Sequence, residues 1–331
     1  MLLFIDNQNH YDPRINLAIE EYALKHLDID ETYLLFYIND PSIIIGRNQN
    51  TVEEIQVDYC QEHGIHVVRR LSGGGAVYHD RGNLNFSFIT KDDGDSFLNF
   101  RKFTEPVVRA LRRLGVEAEL TGRNDLQVGE KKISGNAQFT TKGRMFSHGT
   151  LMFDVDLERV ADALKVKEEK FQSKSTKSIR SRVANISEFM DREMTVEEFR
   201  DLLLRYIFEE ETEIPEYRLD EADWKVINQI SAERYQNWDW NFGRSPRFNV
   251  ENSRRFEGVG SIDIRLQVEK GVIQECTIFG DFFGVRDVKE VEERLVGRRY
   301  EPADMEQALR EIDVQQYFGN ITRDQLIDLM Y

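Results

Sequence analysis

Four segments of the 331-residue chain combine residue types and spacings that can do chemistry. Residues 69–80, RRLSGGGAVYHD, set three consecutive glycines shortly after two arginines. Glycine tolerates positive φ and removes side-chain bulk, so successive N–H groups can turn toward an anion, and Arg70 offers a fork of donors suited to phosphate. Taken alone, the triplet fits a plain hairpin turn equally well. Residues 122–137, GRNDLQVGEKKISGNA, place Asn124 and Asp125 at the start of one strand and Lys132 on its return strand, with the hairpin turning at Gly129 and Glu130. A carboxylate there can hold a hydrated Mg²⁺, and a lysine ammonium can neutralise a phosphate or a carboxylate under activation. A solvated surface hairpin is the plainer alternative. Ser134, Gly135 and Asn136 stand where an exposed strand favours β-branched residues, and glycine within a strand marks close approach of a ligand or of another backbone.

The third segment, residues 147–150, SHGT, opens an apolar strand. The fourth, residues 170–187, carries five basic side chains and no acidic one. Lys174, Lys177, Arg180 and Arg182 stand there among serines that include Ser178. That composition suits a loop closing over a polyanion, and equally a solvated face. His79 and His148 fit histidines satisfied by hydrogen bonds in a sheet as well as they fit catalysis, so neither is given a proton-transfer role. The chain has no GxxxxGK[ST], no convincing dinucleotide-binding helix after its glycines, no HExxH, no nucleophile elbow and no kinase signature. P-loop nucleotidases, Rossmann dehydrogenases, zinc proteases, serine hydrolases and kinases therefore have no support.

The elements that must hold these segments are legible in the periodicity. Asp12 and Pro13 read as N-cap and first helical residue, with Ile15, Ala18, Ile19 and Tyr22 at helical spacing. Strands are expected at residues 33–38, 42–45, 67–70, 76–79 and 84–89, the last with Leu84, Phe86 and Phe88 on one face and Asn85 and Ser87 on the other. Thr51 and Glu54 form a capping-box signature, and a helix carrying Phe103, Val107 and Leu111 ends before Gly115. Further strands are expected at residues 116–120, around 126–137 and at 145–153. Helices then follow, one of them capped by Thr195 and Glu198. Residues 209–216 read as a solvated acidic connector. The turn-rich step at residues 243–246 divides the chain into residues 1–245 and 246–331, the second part a small α+β module in which Ile262, Ile264, Leu266 and Val268 alternate with polar residues.

Composition bounds the setting. Lys plus Arg number 44 against 60 Asp plus Glu, a formal charge of −16. A negative field of this kind repels nucleic acid and anionic membranes, so an anionic ligand needs a local basic pocket. Two distant cysteines, Cys60 and Cys276, suggest neither a disulfide framework nor a zinc site, and no apolar stretch is long enough to span a bilayer. A cytoplasmic protein is expected.

Taken in order, RRLSGGGAVYHD, GRNDL at residues 122–126, KISG at 132–135, SHGTLMF at 147–153, SIRSRVANI at 178–186 and WDWNFGRSPRF at 238–248 closely resemble the lipoate-protein ligase A family. The resemblance covers nearly the whole chain. It implies an α+β fold: a large biotin and lipoate ligase-type domain with a mixed β-sheet flanked by helices, and a small α+β accessory domain. It also implies ATP with Mg²⁺ and lipoate as substrates, no permanently bound cofactor, a lipoyl-AMP intermediate, and transfer to a carrier lysine. Carriers would be the lipoyl domains of 2-oxoacid dehydrogenase complexes and the glycine cleavage carrier protein. The nucleotide is expected at Arg70, Gly75, Ala76, Val77, Tyr78 and Lys132, and lipoate at Arg70, Ser72, Gly73, Gly74, Gly75, His79, Lys132 and His148. Lys132 is the expected catalytic residue and Asp125 the expected magnesium contact. Lys174, Lys177, Ser178, Arg180 and Arg182 fall in the adenylate loop. Two rivals stand beside this reading: an octanoyl or lipoyl transferase of the same fold working through a cysteine thioester, and a non-catalytic module that binds lipoate or a carrier.

Overall fold

A computed structural model of the chain describes residues 1–164, 182–209, 213–243, 249–269 and 271–331. The chain divides into two compact units: Met1–Ile44, Val52–Arg69 and Val77–Asn241 form the first, and Ile45–Thr51, Arg70–Ala76 and Phe242–Tyr331 the second. The glycine triplet thus groups with the C-terminal residues.

The first unit is built on strands β1 (Leu2–Ile5), β2 (Thr32–Ile38), β3 (Ser42–Ile45), β4 (His66–Arg69), β5 (Val77–His79), β6 (Asn83–Lys91), β7 (Glu119–Thr121), β8 (Asp125–Val128), β9 (Lys131–Thr141), β10 (Arg144–Met152) and β11 (Glu216–Tyr217). Eight of them form one mixed sheet in the order β11-β1-β2-β6-β10-β9-β8-β7, while β4, β3 and β5 form a separate small sheet. Within the large sheet, β1 pairs in parallel with β2 and with β11. Helices α1 (Pro13–His26), α2 (Phe100–Arg113) and α3 (Val196–Ile207) flank the large sheet. Asp12 caps α1 through the Arg14 N–H and Pro13 opens it, while Thr195 and Glu198 close a reciprocal capping box on α3.

The two faces of the large sheet differ in kind. Leu34, Phe36, Leu84, Phe86, Met145 and Leu151 pack with Phe103, Val107 and Leu111 of α2 and Phe199 and Leu203 of α3 into one apolar core. The opposite face carries Asn83, Asn85, Ser87 and His148, yet these are buried as deeply as the core residues. Alternation in an antiparallel sheet ordinarily puts polar residues in water, so polar side chains buried here beside Leu35 and Phe146 are the informative departure. Helix α1 reaches this face, where the Glu20 carboxylate meets His148 Nδ1 at 2.9 Å.

The second unit has its own core. Strands β12 (Val250–Phe256), β13 (Gly260–Glu269) and β14 (Val272–Gly280) form an antiparallel meander. Ile262, Ile264 and Leu266 of its central strand are buried with Phe282, Val291, Leu295, Leu309 and Leu326.

Three expectations shift. The strand expected over residues 116–120 shortens to β7, because Val116 and Ala118 are buried in the turn that leaves α2, their N–H groups bonded to Leu111 and Val116 carbonyls. The acidic connector ends in β11, because the outer edge of β1 accepts a partner at Glu216 and Tyr217. Thr51 is the first residue of a one-turn helix, Thr51–Glu54, and not its cap.

Gly149 of β10 shows how closely the sheet is packed. A Cβ there would lie 2.1 Å from Asn136 Oδ1 and 2.7 Å from the Phe86 ring. Gly149→Ala is expected to lower stability by roughly 1–3 kcal/mol through overpacking, read as a fall in the urea midpoint. An unchanged midpoint contradicts this packing.

Candidate active site

The hairpin of β8 and β9 explains how Lys132 comes to face a carboxylate. Residues directly opposite one another in an antiparallel pair share a face. Asp125 opposes Gly135 and Leu126 opposes Ser134, but the register then slips so that Gln127 opposes Lys132. Ile133 is the extra residue of a β-bulge, and its side chain is buried in the apolar core. Without the slip, strict alternation would put Lys131 on the face of Gly135. With it, Lys132 is there. Its Nζ lies 2.8 Å from Asp125 Oδ1, and a Cβ on Gly135 would come within 3.2 Å of that Nζ. Gly135 therefore leaves room for the ammonium to lie across the strand.

The bulge also redirects the backbone of Lys132. Its N–H donates to the Arg182 carbonyl at 2.8 Å, and its carbonyl accepts from the Ala184 N–H at 3.0 Å. The segment that follows the basic stretch is thus tied to the lysine as a parallel bridge at Val183. Arg182 lies at this junction, whereas Lys174, Lys177, Ser178 and Arg180 lie outside the described residues. Asn124 and Asn136 brace the hairpin, each side-chain amide donating to the other's backbone carbonyl.

In the second unit, Arg70 turns inward. Its Nε donates to Ser72 Oγ at 2.9 Å, and its Nη2 donates to the carbonyls of Gly73 at 2.6 Å and Gly75 at 2.9 Å. A trans peptide points its C=O and the following N–H in opposite directions. With the Gly73 and Gly75 carbonyls drawn to the guanidinium, the N–H groups of Gly74 and Ala76 project away from it. This is an arrangement suited to an anion. The three glycines have different reasons. Gly73 and Gly74 are packed against neighbouring atoms, and Gly74 holds φ of +89°, whereas a Cβ at Gly75 would meet nothing within 4 Å among the described residues. Neither packing nor a positive φ calls for glycine at 75 among the described residues.

Other expected residues have local partners. Arg69 is buried, with its N–H on Asn241 Oδ1 and its Nε on the Trp240 carbonyl, while Trp240 Nε1 donates back to the Arg69 carbonyl. It anchors β4. His79 Nδ1 meets Asn39 Nδ2 at 3.0 Å, and burial pushes the Tyr78 hydroxyl up to about 12. His148 sits mid-strand in β10, its ring 4.7 Å from that of Phe146. Sequence reasoning missed Glu20, whose burial against His148 has no signal in helical spacing. It also missed the bulge, whose one trace is the glycine at 135. Cys60 is buried on the helix Val57–Glu62, where burial pushes its thiol up, and Cys276 is buried in β14. Among the described residues no cluster of His, Cys, Asp and Glu could hold a metal ion by itself, and no helix is long and apolar enough to cross a membrane.

Residues 12–208 match the lipoyl protein ligase A/B catalytic domain family, and residues 245–330 match the bacterial lipoate protein ligase C-terminus. The chain belongs to the lipoate-protein ligase family. A lipoate-protein ligase of Bacillus subtilis is 66% identical over 332 residues, with both chains covered in full. A bipartite lipoate protein ligase of Thermoplasma acidophilum, solved in a study that includes its E2 lipoyl domain, superposes with a TM-score of 0.64 at 36% identity, covering 75% of this chain and 98% of its own. A lipoate-protein ligase A solved with bound ATP gives a TM-score of 0.62 at 34% identity, covering 73% and 98%.

Two outcomes follow from the geometry of this ligase-family site. Lys132→Ala is expected to cut turnover by about 100-fold or more, the scale of losing a charge-stabilising donor, while Lys131→Ala stays within about threefold because the bulge turns residue 131 from the site. Equal losses in the two variants refute the bulge argument. Gly75→Ala should keep the wild-type unfolding midpoint yet raise KM for ATP by about tenfold, a methyl group intruding where only a ligand needs space. A wild-type KM removes Gly75 from the site.

Proposed function

We propose that the chain is an ATP-dependent lipoate-protein ligase working in two steps. A carboxylate oxygen of lipoate attacks the α-phosphorus of Mg-ATP. The bond from that phosphorus to the bridging oxygen breaks, pyrophosphate leaves, and lipoyl-AMP remains. The ε-amine of a carrier lysine then attacks the acyl carbon, the bond to AMP breaks, the amine loses a proton and an amide forms. No covalent enzyme intermediate is needed.

Lys132 would act as the catalytic cation. Bringing a carboxylate to a phosphate crowds two anions, and a fixed ammonium lowers the barrier without having to reorganise during the reaction. Asp125 holds that ammonium in place beforehand and would turn its carboxylate toward the magnesium of the incoming nucleotide. Gly75, Ala76, Val77 and Tyr78 would contact the nucleotide, with Arg70 shaping the turn that presents their N–H groups. Lipoate would lie along Ser72, Gly73, Gly74, His79 and His148. Lys174, Lys177, Ser178, Arg180 and Arg182 would cover the anhydride and keep water from it. Residues 1–245 would form the catalytic domain and 246–331 the accessory domain of a cytoplasmic enzyme. Its carriers would be the lipoyl domains of 2-oxoacid dehydrogenase complexes and the glycine cleavage carrier protein.

The observation that carries this reading is the Lys132–Asp125 pair laid across Gly135 in a chain of this family. A thioester transferase needs an accessible thiolate, and both cysteines are buried. Labelled pyrophosphate should exchange into ATP only when lipoate is present, and a Cys60→Ser/Cys276→Ser variant should retain activity within about threefold because no thiol takes part. Absence of lipoate-dependent exchange overturns the ligase reading. A folded but inactive double variant restores the transferase.

A further inference from the structure

The glycine turn owes its shape to residues more than two hundred positions later in the chain. Within the second unit, a Cβ on Gly73 would lie 2.4 Å from the Phe282 carbonyl oxygen and 3.2 Å from the Phe283 ring. One on Gly74 would lie 3.1 Å from Phe283 Cζ. The turn that follows β14 splits its two aromatic residues. Phe282 is fully buried in the module core with its ring 5.1 Å from that of Phe318, while Phe283 is buried against the glycines. The neighbouring segment, residues 45–51, is held from the same side. Gly280 N–H donates to the Asn48 carbonyl at 2.8 Å, and Arg47 pairs with Asp287 at 2.7 Å. Arg47 N–H in turn donates to the Ser72 carbonyl at 2.9 Å, beside the glycines.

A run of three glycines loses more conformational freedom on ordering than any other tripeptide, so a turn of this composition needs outside contacts to hold one shape. Arg70 supplies such contacts from within the turn. Phe283 supplies them from the C-terminal module, on the face of Gly73 and Gly74, while a Cβ on Gly75 would meet nothing within 4 Å among the described residues.

We propose that Phe283 is a positioning residue for nucleotide binding, acting through Gly73 and Gly74, with the Arg47–Asp287 ion pair as a weaker second support. This rests on reading the glycine turn as the nucleotide contact. The small module then determines how well the turn is formed before ATP arrives, and touches no reacting atom through Phe283.

The test measures lipoate-dependent pyrophosphate exchange in the full-length chain, with ATP and lipoate varied separately. Phe283→Ala is expected to raise KM for ATP by about tenfold while kcat at saturating ATP and lipoate stays within about twofold, the split expected when only ground-state binding is lost. Phe283→Met, which refills the space over the glycines, should recover most of the ATP affinity. Asp287 is half exposed, with 48% of its side chain accessible, so Asp287→Ala leaves the core intact and should raise KM for ATP by about threefold. It decides the matter should Phe283→Ala fail to fold. A wild-type KM for ATP in the folded variants overturns the inference while leaving the ligase reading intact. Wild-type protein without exchange overturns the ligase reading first.

Discussion

An ammonium group fixed beside a carboxylate by one surplus residue in a strand is the constraint on which the geometry of the candidate site depends. Regular alternation would have turned Lys132 away from Gly135 and Asp125. Because Ile133 is inserted without a partner, the two sides of the β8–β9 hairpin fall out of phase, and the lysine crosses to the face of Gly135 and Asp125. The same slip frees the lysine's N–H and carbonyl for the segment at residues 182–184. A single local irregularity therefore sets both the direction of the side chain and the anchorage of its backbone. The buried Ile133 side chain holds the irregularity in place.

Much of this was legible in the amino-acid sequence. Apolar spacing located α1, α2 and α3, and capping residues such as Asp12 and Thr195 marked their starts closely. Hairpin chemistry at Gly129 and Glu130 located the turn between β8 and β9. Gly135 marked the place where a ligand or side chain must pass, and Lys132 was singled out as the lysine there, but the bulge that turns it toward Asp125 was not legible. The role of Arg70 was hidden for another reason. From sequence it is a phosphate fork, whereas in the fold its donors meet the carbonyls of its own turn. Intramolecular competition for donors depends on a backbone path that composition does not encode. Glu20 was hidden because an acidic residue in a helix is ordinarily solvated, and only the sheet beneath reveals that His148 is its partner.

Charge presents a related contrast. The chain carries −16 overall, an unfavourable field for an anionic ligand such as a nucleotide. Recognition then has to rest on short-range, directed donors. Peptide N–H groups aligned by the Gly73 and Gly75 carbonyls bring no formal charge, so long-range repulsion reduces their effect less than it reduces the attraction of a diffuse basic patch.

The large sheet ends in very short strands on both sides. Its last strands are β11, two residues long, and β7, three residues long. An exposed strand edge is a template onto which another chain can add, and length governs how many hydrogen bonds such an addition can make. With so few open positions at either border, a second molecule gains little by docking there. Borders of two and three residues thus give the eight-stranded sheet little template for strand addition.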